Sequence, residues 1–129
     1  MTQLLTKSLP TQAKLLYVFT KPAYSNATGQ EGLDAVLMGA AFEQKVSLLF
    51  LYDGIYQLKA DQDMRETGLK QYTKTFQALA DYEVQNIYVS ELCMQARSLN
   101  AFDLILETKA LNRDSIASLI GEQDRVFTF

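Results

Sequence analysis

The sequence predicts an α/β fold in which helices sandwich a five-stranded, mostly parallel sheet. Apolar runs alternate with stretches of helical spacing, the order expected of successive β-α units. The runs are also apolar at every position, as strands covered on both faces must be. Leu15-Leu16-Tyr17-Val18-Phe19 is the plainest of them. A chain of 129 residues, 48% apolar and 21% charged, can build one core without disulfide staples.

The first strand is expected over residues 14–20, followed by a loop over 22–27. Thr28 and Glu31 then have capping-box spacing, in which hydroxyl and carboxylate each satisfy a free helical N–H. Leu33, Val36, Leu37, Ala40 and Ala41 recur at helical spacing behind them. Residues 46–52 read as a second buried strand, closed by the turn pair Asp53-Gly54. A short helical turn over 55–58 and a polar loop to residue 66 come next. A helix is predicted over 67–81, with Leu69, Tyr72, Phe76 and Leu79 on one face. Residues 87–89 form a third strand, leading to a helix capped by Ser90 and carrying Leu92, Cys93 and Ala96. Residues 102–106 are expected as the fourth strand. Asn112 caps a last helix, with Leu111 and Ile116 at staple positions and Gly121 as terminator, and residues 125–129 form the fifth strand.

No repeat, low-complexity tract or interdomain linker interrupts this series, so residues 14–129 are read as one domain behind an extension over 1–13. In such sheets ligand crevices open at the carboxyl ends of the strands. Here those ends are expected near Thr20, Asp53, Ser90 and Glu107.

Composition removes several functions. The longest apolar run, within residues 46–52, is far too short to span a bilayer. The opening residues lack the apolar core and cleavage site of a signal peptide, so a cytoplasmic protein is expected. A formal charge of −3 does not announce a polyanion-binding surface, and any role with RNA is expected to be indirect. There is no histidine, which rules out a Ser-His-Asp or Cys-His arrangement within the chain. With one cysteine there is no internal disulfide and no Cys-x-x-Cys motif. No metal and no cofactor are expected.

Cys93 is the one nucleophile able to ionise near neutral pH without a partner base. With Ser90 as N-cap it is the third helical residue, where free N–H groups and the helix dipole favour a thiolate. The plainer reading, a small buried hydrophobe in a stripe with Leu92 and Ala96, is preferred. Glu31, Asp34 and Asp53 could gather at the crevice, but capping, first-turn placement and an Asp-Gly turn explain each of them. Gly29 and Gly32 match neither Gly-x-Gly-x-x-Gly nor the P-loop, so no nucleotide site is inferred. Lys70 and Lys74, one turn apart, read as a solvated face. Seven Tyr and seven Phe are many for so small a sheet, and interfaces favour surplus aromatics. Tyr56, Tyr72 and Phe76 are the candidate interface residues.

Two separated segments carry a resemblance. Gly29-Gln30-Glu31-Gly32-Leu33-Asp34-Ala35 resembles the G-x-E-G-L-D-A segment of the TusC/DsrF family, within the DsrE-like superfamily. Asp53-Gly54-Ile55-Tyr56-Gln57-Leu58 resembles its D-G-[VI]-[FY]-Q-L segment. Gly29, Glu31, Gly32, Asp34, Asp53, Gly54 and Gln57 are thus motif residues, and the likeness continues through residues 72–82 and Arg97-Ser98-Leu99. It implies a three-layer α/β/α domain, flavodoxin-like in outline. It further implies a non-catalytic subunit of a heterohexamer with TusB-like and TusD-like subunits. Such a complex receives persulfide sulfur from an upstream carrier and passes it to a downstream acceptor, towards 2-thiouridine in tRNA or, in the DsrF branch, within sulfur oxidation. The relay cysteine of the D-type subunit lies near the end of the third strand, where this chain has Tyr88-Val89-Ser90. Cys93 falls one helical turn later, and an enzyme subunit carrying persulfide on Cys93 is the alternative.

Overall fold

The fold was obtained as a computed structural model, which describes residues 12–22, 28–42, 44–59, 79, 84 and 86–129. The helix expected over 67–81, with Lys70, Tyr72, Lys74 and Phe76, lies outside the described residues apart from Leu79. So does most of the N-terminal extension. The elements are β1 (Lys14–Phe19), α1 (Thr28–Ala41), β2 (Lys45–Phe50), a 3₁₀ segment (Tyr52–Leu58), β3 (Asn86–Ser90) and α2 (Glu91–Ala96). A 3₁₀ turn (Ala101–Asp103), β4 (Lys109–Leu111), α3 (Arg113–Gly121) and β5 (Arg125–Thr128) complete the series.

The strands lie in the order β4-β3-β2-β1-β5, and each neighbouring pair is parallel. The expected mostly parallel sheet is therefore wholly parallel among the described strands. β1 and β2 pair along their full length, from Lys14↔Lys45 to Phe19↔Phe50.

Strand alternation sends consecutive side chains to opposite faces, and each face meets helices. Tyr17, Phe19, Leu48 and Phe50 point to one side, where they pack with Leu33 and Val36 of α1 and Met94 of α2. Leu16, Val18 and Leu49 point to the other, against Ile116 and Leu119 of α3. The three-layer expectation holds. Burying a side chain such as Leu16 or Phe50 removes enough apolar surface to contribute about 1.5–3 kcal/mol each, the main term holding the layers together.

Several expectations are corrected. Residues 102–106 are not a strand: Asn100 Oδ1 accepts the Phe102 N–H at 2.9 Å, while Asp103 Oδ2 accepts the Asn100 N–H at 2.9 Å. These local bonds offer the backbone a turn in place of a ladder. The fourth strand is instead the short, largely exposed Lys109–Leu111, so Glu107 lies ahead of it and not at its carboxyl end. The second strand stops at Phe50 instead of running to Tyr52, because Tyr52 takes a φ of 51° and turns the chain into the 3₁₀ segment. Gly121 ends α3 as its last residue, and the cap is Glu122 in right-handed conformation. Two of the three predicted N-caps form: Ser90 Oγ accepts from Cys93 N–H at 3.2 Å, and Asn112 Oδ1 from Ser115 N–H at 2.8 Å, whereas Thr28 is the first residue of α1 itself and not its cap. Among the described residues no helix is long and apolar enough to cross a membrane.

Candidate functional site

β1, β2 and β3 end side by side at Phe19, Phe50 and Ser90. Three segments leave this edge: the loop after β1, the 3₁₀ segment after β2, and α2 after β3. The motif residues of the 3₁₀ segment lock the first two together. Gly54 sits so close to the backbone of Phe19 that a Cβ there would collide with the Phe19 carbonyl oxygen and lie 2.9 Å from Thr20 N. Only glycine fits that approach. Gln57 is 1% exposed and donates from Nε2 to the Lys21 carbonyl at 3.0 Å, tethering the loop that follows β1. Its Oε1 is buried without a hydrogen-bond partner.

The third segment joins through Cys93 and Arg97. Cys93 Sγ accepts the N–H of Tyr52 at 3.2 Å, so the left-handed Tyr52 is held against α2. Arg97 directs Nε and Nη2 at the same oxygen, Asp53 Oδ1, at 3.1 and 2.9 Å. Its Nη1 donates to the Cys93 carbonyl at 3.2 Å. The pair lies near solvent, with side-chain exposures of 20% for Arg97 and 56% for Asp53, so it aligns α2 with the 3₁₀ segment more than it stabilises the fold.

Cys93 is half-buried and packs against the larger core cluster. Its backbone N–H goes to Ser90, its carbonyl to Arg97 and its sulfur to Tyr52. No acid–base side chain appears among these partners. Glu31 and Asp34 are exposed on α1. Among the described residues no three His, Cys, Asp or Glu side chains gather closely enough to hold a metal ion, so Glu31, Asp34 and Asp53 form no carboxylate cluster.

Gly29 and Gly32 both lie within α1 rather than in a loop that could cradle phosphate. Gly32 faces the aromatic rings of the sheet, where a Cβ would lie 2.5 Å from Phe19 Cε1 and 2.9 Å from Phe129 Cγ. Of the candidate interface residues, Tyr56 is half-buried, whereas Tyr72 and Phe76 fall outside the described residues. Sequence reasoning missed Arg97 as the partner of Asp53. Its i, i+4 spacing to Cys93 was visible, but its contact across 44 positions was not. The packing stripe expected of Leu92, Cys93 and Ala96 does not form, because Leu92 is 62% exposed and Ala96 is exposed while Cys93 alone turns to the core; Tyr52 at 59% and Phe102 at 96% are exposed as well.

The fold and sequence have clear relatives. A solved structure, the YchN protein from E. coli, superposes with a TM-score of 0.79, covering 92% of this chain and 100% of that one at 17% identity. At that identity the likeness speaks for the fold alone. The intracellular sulfur oxidation protein DsrF of Allochromatium vinosum is 37% identical over 130 residues, spanning 90% of this chain and 96% of the relative. A TusC homolog of Vibrio vulnificus is 28% identical over 117 residues, spanning 91% and 99%. With a match to the family's sequence pattern across residues 13–129, the chain belongs to the DsrE/DsrF-like family.

Proposed function

We propose that this chain is a non-catalytic subunit of a hetero-oligomeric sulfur-relay complex. The observation that carries the reading is at the end of β3, where the resemblance puts the relay cysteine of a sister subunit. Here that region is Tyr88-Val89-Ser90, which holds no cysteine, and the Ser90 hydroxyl is committed to capping α2 through the Cys93 N–H. Cys93 itself is packed against the core with its sulfur turned to a backbone N–H. Both features favour a structural role over sulfur carriage.

The exposed apolar groups favour association. Met38, Phe42, Leu92 and Phe102 are large, apolar and exposed, side chains that a partner subunit would cover. Homologous TusB-like and TusD-like subunits in a heterohexamer are the partners this reading names, with an upstream persulfide carrier and a downstream acceptor reached through the complex. The whole relay is placed in the cytoplasm, and tRNA is contacted only indirectly.

The 37% identity to a sulfur oxidation protein favours the DsrF-type branch for the destination of the sulfur. The 28% identity to a TusC homolog keeps 2-thiouridine synthesis in tRNA as the second reading. Co-expression of the full chain with B-type and D-type sister subunits, followed by size exclusion, tests the proposal. A stable co-eluting assembly is expected. A soluble monomer indifferent to both partners would refute the subunit role.

A further inference from the structure

We infer that β5 pairs antiparallel with β5 of a second copy of this chain about a two-fold axis at Phe127, joining two sheets into one. The inference goes beyond the relay reading, and its test uses neither sulfur transfer nor sister subunits.

A strand inside a parallel sheet is covered above and below, but β5 is exposed at all four positions. Val126 and Phe127 point to opposite faces and are 42% and 41% exposed, so the edge is apolar on both sides. Its backbone is free as well. Phe129 gives its N–H to Val18 O and receives the Thr20 N–H, both at 2.8 Å, so Phe129 faces β1. In a parallel ladder alternate residues give both groups to one neighbour. Arg125 and Phe127 therefore face β1 like Phe129, and Val126 and Thr128 direct N–H and C=O outward. Neither has a hydrogen-bond partner on that side among the described residues. An uncovered edge of this kind is a template for another strand.

The edge's own chemistry identifies a second copy as the strand. An occupant must be apolar towards both faces, which Val126-Phe127 itself satisfies. It must also oppose outward-facing residues to Val126 and Thr128. Asp124 already gives its N–H to Lys14 O at 2.8 Å, which confines the free edge to these two residues and centres it on Phe127. With two copies related about that point, Val126 of each opposes Thr128 of the other, and each pair exchanges two N–H···O=C bonds. Phe127 then faces its own copy at the close, non-hydrogen-bonded position. This continues a row of stacked rings that crosses the sheet: Phe50–Phe19 at 5.0 Å, Phe19–Phe129 at 5.7 Å, Phe129–Tyr17 at 6.3 Å and Tyr17–Phe127 at 5.2 Å. In the single chain the row ends at the half-exposed Phe127; in the pair it runs through to the second sheet. Aromatic pairs across strands add to the backbone bonds.

The test combines sedimentation velocity of the full chain with residue-resolved amide exchange. Thr128→Pro removes one outward N–H per copy and leaves the β1 ladder intact, since proline is tolerated where an edge N–H faces away from the sheet. Wild type is expected as a dimer in which the Val126 and Thr128 amides gain protection with concentration, while the Phe127 amide is protected throughout. Thr128→Pro is expected to weaken dimerisation by at least about tenfold with the circular dichroism of the fold retained. The inference is overturned by a wild type that stays monomeric at about 100 μM, a concentration at which even micromolar pairing saturates. It is equally overturned by a dimer that survives Thr128→Pro unchanged, or by one whose Val126 and Thr128 amides exchange as fast as in the monomer. If the proline variant fails to fold, the exchange pattern of wild type alone decides.

Discussion

Gln57 and Asp53 stand four residues apart in one motif and do different work. Gln57 is buried and donates to the part-buried Lys21 carbonyl, which loses that donor when the amide is removed. Gln57→Leu keeps most of the volume but deletes that donor, so a loss of about 1–3 kcal/mol is expected in thermal or urea denaturation. Asp53 is more than half exposed, and its bond to Arg97 is screened by solvent. Asp53→Asn should cost under about 1 kcal/mol in the same measurement. Equal losses for the two variants would contradict the assignment of Gln57 as the tether and Asp53 as an aligning group.

At the scale of elements, the 3₁₀ segment is the piece that makes this edge what it is. Gly54 lets it lie directly on the end of β1, and an added methyl would meet backbone atoms, which cannot move aside as a side chain can. Gly54→Ala is therefore expected to destabilise the fold by at least about 2 kcal/mol, within the range for overpacked interiors or above it. Gly121→Ala is the natural control, because nothing lies within 4 Å of the position. It should be neutral or mildly stabilising, as alanine is the better helix former.

The same scale shows how far the sequence could be read. β1, β2 and β3 were legible because they are central, covered on both faces and hence apolar at successive positions. The N-caps Ser90 and Asn112 were legible because capping is a bond between near neighbours. β4 was not, since an edge strand of three residues, two of them exposed, carries no hydrophobic pattern. The apolar run at 102–106 drew the strand assignment instead, although its own Asn100–Asp103 box specified a turn. At the site, the motif spacing marked Asp53, Gly54 and Gln57. The contacts that give them meaning, to Arg97, Phe19 and Lys21, join distant parts of the chain and leave no local signal.

For the whole molecule, a five-stranded parallel sheet with helices on both faces presents one edge of loops and several exposed apolar groups, and among the described residues no acid, base and nucleophile are assembled. Such a molecule suits a place beside a reacting subunit. In the proposed relay its value lies in shape, and Cys93 is part of that shape. Serine matches cysteine closely in volume but cannot hold a persulfide, so Cys93→Ser removes the chemistry with about 1 kcal/mol of stability at stake. The decisive measurement follows labelled sulfur from the upstream carrier to the acceptor through an assembled complex containing Cys93→Ser, its assembly confirmed by size exclusion. Transfer at close to the wild-type rate is the predicted result. Loss of transfer in a normally assembled complex would contradict the account and make Cys93 a relay residue.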